Sequence, residues 1–119
     1  MSIQPDKRQN SFVVLQNATQ IIVTYTVPSK CRLTLRKFCN YINNLQAWGS
    51  IVWSIRRNGI PLPDIYGAIA DQMGDSDRME EMPPHEFYGG DLLELIATNN
   101  YAGAASVGIG GGVAWDLEQ

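Results

Sequence analysis

The dominant pattern along this chain is an alternation of period two. Its clearest case is the last segment, where Val107, Ile109, Gly111, Val113, Trp115 and Leu117 alternate with Ser106, Gly108, Gly110, Gly112, Ala114 and Asp116. One apolar face and one small or polar face is what a half-buried strand requires. Ile21, Val23, Tyr25 and Val27 alternate in the same way, and Pro28, lacking an amide hydrogen, ends that strand. Ile51, Trp53 and Ile55 oppose Val52, Ser54 and Arg56 ahead of Asn58-Gly59. That dipeptide tolerates the positive φ angles of a tight hairpin and is a strong turn signal. Leu93, Leu95 and Ala97 form another set, bounded by Gly89-Gly90-Asp91 and Asn99-Asn100.

The stretch from Cys31 to Ile42 is also strand-like, but its parity changes. Leu33 and Leu35 share one face, while Phe38 and Ile42 fall on the other. A β-bulge near Lys37, or a strand serving two sheets, accounts for the shift. A shorter strand is expected over Phe12 to Leu15, preceded by a polar arm at residues 1–10 that stays disordered until a partner ties it down. Ile65, Ile69 and Met73 fit a helical spacing of four, which allows one short helical turn, and residues 74–85, rich in acids and prolines, read as a loop. The sum is about seven or eight strands with turn signals about every ten residues, an all-β sandwich or barrel over residues 11–119.

Composition fits this picture. At 119 residues, with 45% apolar and 18% charged positions, the chain has the size and balance of one globular domain. Cys31 and Cys39 lie eight residues apart in one strand-like run. Extended, they are separated by roughly 26 Å at about 3.3 Å per residue, whereas a disulfide needs Cα atoms within about 7 Å. Free thiols and a polar opening, MSIQPDKRQN, suit a chain folded in a reducing cytosol. Residues 95–115 carry no charge, yet their two asparagines, one serine and five glycines are wrong for a spanning helix, so no membrane partner is expected.

Charge is uneven. Residues 1–60 hold eight bases and one acid, whereas residues 61–119 hold one base and eleven acids. Either the halves form complementary surfaces that attract neighbouring subunits, or their strands interleave and the charges mix. The basic pairs Arg36-Lys37 and Arg56-Arg57 are the only hint of phosphate binding, and a net charge of −3 opposes it, so no nucleic-acid partner is expected.

Catalytic chemistry is not in sight. His85 is the sole histidine, follows two prolines, and lacks the oriented partners of a nucleophile triad. Cys31 and Cys39 lack zinc-knuckle spacing. The acids Asp71, Asp75, Asp77, Glu80 and Glu81 miss the order of a calcium loop, since Met79 stands at its fifth position counted from Asp75. Gly108, Gly110, Gly111 and Gly112 lack the third glycine of a dinucleotide loop, because Val113 occupies it. Their better explanation is steric: another backbone, from this chain or a neighbouring subunit, comes close. No catalytic residue, metal site or cofactor is therefore assigned.

Three stretches resemble jelly-roll domains of tailed-bacteriophage virion proteins. These are Tyr25-Thr26-Val27-Pro28 with the long strand from Cys31, Trp53-Ser54-Ile55 running into Asn58-Gly59-Ile60-Pro61-Leu62, and Tyr88-Gly89-Gly90-Asp91-Leu92-Leu93-Glu94-Leu95. The resemblance implies a jelly-roll-like antiparallel sandwich and a capsid cement (decoration) protein. Such a subunit assembles as a homotrimer on the virion surface after synthesis in the host cytoplasm, binding the viral major capsid protein. Candidate interface residues are Lys7, Arg8, Arg36, Lys37, Arg56, Arg57, Gly108, Gly110 and Gly112. The alternative function is recognition of host glycans by a fibre, tail or head-surface module. Trp48, Tyr66, Tyr88 and Tyr101 would then supply the stacking surfaces.

Overall fold

The computed structural model describes residues 2–62 and 79–119, and these form two four-stranded antiparallel sheets. Eight strands follow in order: β1 (Ile3–Leu15), β2 (Thr19–Thr26), β3 (Arg32–Ile42), β4 (Ile51–Arg57), β5 (Ile60–Pro61), β6 (Glu80–Tyr88), β7 (Leu92–Asn99) and β8 (Ser106–Glu118). A 3-10 turn at Leu45–Ser50 bridges β3 and β4, with the Asn44 side chain accepting from the Gln46 amide at its start. The expected helical turn at Ile65, Ile69 and Met73 lies outside the described residues.

One sheet runs β1-β8-β3-β6 and the other β2-β7-β4-β5. First pairs with last, second with seventh, third with sixth and fourth with fifth. This is a long hairpin rolled up on itself, and the architecture is a jelly roll. Long-range pairing is its consequence, since β1 and β8 lie at opposite ends of the sequence and match residue for residue from Ile3↔Glu118 to Leu15↔Ser106.

Alternation builds the core. The odd positions of β8, Val107, Ile109, Val113 and Trp115, are buried against Trp53 and Ile55 of β4 and Leu93, Leu95 and Ala97 of β7. Burying such side chains stabilises the fold by about 1.5–3 kcal/mol each relative to exposure. Two bulges adjust the faces. One falls between Leu35 and Lys37, where the parity of β3 changes, and it puts both Leu35 and Phe38 inside. The other falls between Ile21 and Val23. It buries Ile22 with Val23 and leaves Ile21 44% exposed, so Ile21 does not share a face with Val23, Tyr25 and Val27.

Two expectations need correction. Residues 3–10 are not a loose arm but the first part of β1, held along its whole length by β8. Residues 80–85 are not loop, because Glu80–Tyr88 pairs with β3 as an edge strand. An edge tolerates Pro83 and Pro84, which fall where the pairing with β3 is interrupted between His85 and Glu81. His85 accordingly stands in β6 opposite Leu35, half-buried. The Asn58-Gly59 turn forms as the sequence indicates, with φ of 53° and 83°. No described helix is long and apolar enough to cross a membrane, and the uncharged run 95–115 is divided between β7, a loop and β8.

Candidate assembly surface

The β1-β8-β3-β6 sheet turns its outer face to solvent, and β8 runs along the middle of it. Because side chains on β8 alternate, the residues facing outward are Gly108, Gly110, Gly112, Ala114, Asp116 and Glu118. The three glycines do lie under close neighbours, but these belong to the same chain. The Asn43 side chain covers Gly108, its Oδ1 accepting from the Gly108 amide at 2.9 Å, and the Asn43 backbone amide donates to the Gly108 carbonyl at 3.0 Å. The Tyr41 ring lies over Gly110, and the Gln9 and Met79 side chains lie over Gly112. Gly108, Gly110 and Gly112 are therefore explained by packing within the chain, and no neighbouring subunit is needed to account for them.

The basic candidates scatter. Lys7 and Lys37 flank Ala114 on the outer face, one from β1 and one from β3. Arg36, carried by the bulge, pairs with Asp116 at 2.6 Å. Arg8 points to the other side of β1, where its guanidinium stands 5.2 Å from the Tyr25 ring centre and 5.8 Å from that of Trp115. Arg56 and Arg57 sit on β4 in the opposite sheet, bonded to the Ser54 hydroxyl and the Glu86 carbonyl respectively. Lys7, Arg36 and Lys37 thus share a surface, while Arg8, Arg56 and Arg57 do not join it.

Interleaving of the strands also mixes the charge of the two sequence halves. Arg32 meets Glu118 at 2.8 Å and Glu86 at 3.7 Å, and its bond to Glu118 raises the guanidinium pKa further. With Arg36–Asp116 these pairs rim a groove of about 350 Å³ that also takes in Ile3, Thr34 and Pro84. The acids Asp71, Asp75 and Asp77 lie outside the described residues, and Glu81 is exposed on β6 opposite Lys37. Among the described residues no cluster of three metal-ligating side chains occurs.

The aromatic candidates do not make one platform. Trp48 packs on the core, its ring centre 6.4 Å from that of Trp53, and Tyr101 packs there too with its hydroxyl near Gln46. Tyr88 lies at the opposite end of the roll, 52% exposed, and donates its hydroxyl to Glu86 Oε2 at 2.8 Å, a bond that raises the phenol pKa. Tyr66 lies outside the described residues.

A surface that the sequence reading missed is the edge of β1. Phe12 (38%), Val13 (74%) and Leu15 (64%) are exposed there, with Ile21 of β2 exposed on the same flank, where Asn10 Nδ2 donates to the Ile22 carbonyl. A run of apolar residues announces a strand, but whether that strand lies at an edge is decided by the order of the sheet. No protein-family model matches the chain, and no curated protein matches its sequence.

Proposed function

We propose that this protein is a structural virion subunit of a tailed bacteriophage, a cement protein that assembles with copies of itself and binds the major capsid protein on the head. The observation that supports it most is the eight-strand roll with its open outer sheet. Jelly rolls serve as viral capsid and lectin domains. The inside of this one is filled by Trp53, Trp115, Phe87 and the leucines and isoleucines around them. Among the described residues, the sheet face carrying Lys7, Arg36 and Lys37 and the long edge of β1 are the surfaces that suit contact best. The glycan alternative draws less support, because Trp48 and Tyr101 are engaged with the core and Tyr88 stands apart from them.

The test is an electron-microscopy map of purified particles, with the copy number counted by quantitative mass spectrometry. The expected result is density on the outer head surface at a copy number commensurate with the capsid lattice. A handful of copies per particle, or density at the tail alone, would overturn the assignment.

A further inference from the structure

Among the described residues, the edge of β1 that faces away from β8 is built in two unlike halves. Backbone direction along it follows from the bonds at its two ends. The Gln16 amide donates to the Ala105 carbonyl at 2.9 Å, and the Gln119 amide donates to the Ser2 carbonyl at 3.1 Å. Between them the register with β8 is unbroken. Antiparallel pairs alternate between residues that bond the neighbour and residues that do not. Even-numbered residues of β1 therefore face β8, and odd-numbered ones turn their N–H and C=O groups toward the open edge.

The first half of that edge is closed. Pro5 has no N–H to offer, and the Lys7 N–H is taken by Asp6 Oδ1 at 2.8 Å. Asp6, Lys7 and Arg8 add charge. Proline and charge are the usual means by which an edge strand avoids pairing. From Ser11 to Leu15 neither device is present: the segment has no proline and no charge, and it exposes Phe12, Val13 and Leu15.

We propose that Ser11–Val13 pairs with the same segment of a second copy, antiparallel about a two-fold axis at Phe12. In that register Ser11 of each chain exchanges two backbone hydrogen bonds with Val13 of the other, and the two Phe12 residues face each other as a non-hydrogen-bonded pair. The choice of a second copy rests on what the other edge of the sheet allows. There β6 presents Pro83, Pro84 and the exposed acids Glu81 and Glu86, and its pairing with β3 is interrupted between His85 and Glu81. Head-to-tail growth from β1 to β6 is blocked, whereas the β1–β1 contact is self-complementary and closes at two chains. Like charges stay apart, since Arg8 falls opposite Gln16 of the other copy. The two Arg8 residues would be separated by roughly 26 Å along the strands at about 3.3 Å per residue, well beyond a screening length of about 8 Å. The pairing closes at two copies where the resemblance implies three.

Sedimentation equilibrium of the full chain tests it, with a dimer as the expected result. Val13→Pro removes an edge-facing N–H, as Pro5 already does without harm to the β8 ladder, and is expected to sediment as a monomer with the parent circular dichroism. Phe12→Cys gives an independent measurement, because non-hydrogen-bonded pairs bring opposite Cα atoms to about 4.5 Å, within disulfide range. Mild oxidation is expected to yield a covalent dimer from Phe12→Cys and none from Lys7→Cys. A monomer at all concentrations, a trimer, a Val13→Pro dimer or an uncrosslinked Phe12→Cys would each overturn the pairing. These are measurements on purified protein, so they fail or succeed separately from the copy number on particles.

Discussion

The two halves of β8 hold the same two sheets together by different means. From Gly108 to Gly112 the strand carries glycine at every position but Ile109. On the inner face Gly111 leaves so little room that an added Cβ would stand 2.9 Å from Leu95 Cδ2 and 3.0 Å from the Cys39 carbonyl oxygen, while on the outer face Gln9, Tyr41 and Asn43 lie across the glycines. From Val113 to Glu118 every side chain but that of Ala114 is larger. Trp115 stacks on Tyr25 at 4.6 Å inside, and Asp116 and Glu118 pair with Arg36 and Arg32 outside. One half is fitted by the absence of atoms, the other by bulk and charge. The difference teaches that a glycine-rich strand can be a packing device within one chain, with its glycines accounted for by their own neighbours.

Two substitutions break each half where it is most constrained. Trp115→Ala removes the stacked indole and leaves a large void, so a loss of about 3–5 kcal/mol is expected for a buried tryptophan. Urea titration reads it as a lower midpoint. Gly111→Val pushes two branches into Leu95 and the β3 backbone, and overpacking of that kind costs about 1–3 kcal/mol. If Gly111→Val proved neutral, the close approach of the sheets at that end would be wrong, and the contrast between the halves would go with it.

How much of this was legible in the sequence depends on where each strand lies. Strands with one buried face announced themselves, as β8, β4 and β7 did, because burial on one side is what writes period two into a sequence. The bulge in β3 was readable from the change of parity between Leu35 and Phe38. In β2 the run Ile21-Ile22-Val23 is apolar throughout, so alternation cannot locate the bulge there. The edges were the hardest. Residues 3–10 of β1 are almost wholly solvated, leaving no apolar face to see, and β6 carries prolines that only an edge tolerates. The basic candidates are divided between surfaces for a related geometric reason. Adjacent strand residues point to opposite faces, so a basic pair such as Arg56-Arg57 does not form one patch.

A pH titration sharpens the picture at the end of the roll where β8's charged half finishes. Asp91 Oδ2 accepts from the Tyr88 amide at 2.8 Å and Oδ1 from Asn58 Nδ2 at 3.0 Å, tying the β6–β7 turn to the β4–β5 turn. The bond to the Tyr88 amide, then that to Asn58, hold the carboxyl below the usual aspartate range. A depressed folded-state pKa contributes stability that is present above the unfolded value and is lost as pH falls through the folded one. Asp91→Asn is therefore expected to lower the thermal midpoint at neutral pH and to narrow its gap to the parent below the folded-state pKa. An equal loss at every pH would assign the effect to shape and not to charge.

The smallest effect is expected from the feature that is most conspicuous on the surface. Arg36 and Asp116 approach to 2.6 Å, yet their side chains are 53% and 32% exposed, so water screens the pair and each long side chain must be ordered to make it. Exposed ion pairs of this kind contribute about 0.2–1 kcal/mol. A double-mutant cycle with Arg36→Ala and Asp116→Ala isolates the coupling, since effects on the rest of the sheet cancel between the single and double variants. Added salt should reduce it further by screening. Were the coupling instead as large as the loss at Trp115, the charged half of β8 would be held by its outer face, and the division between packing inside and electrostatics outside would have to be redrawn.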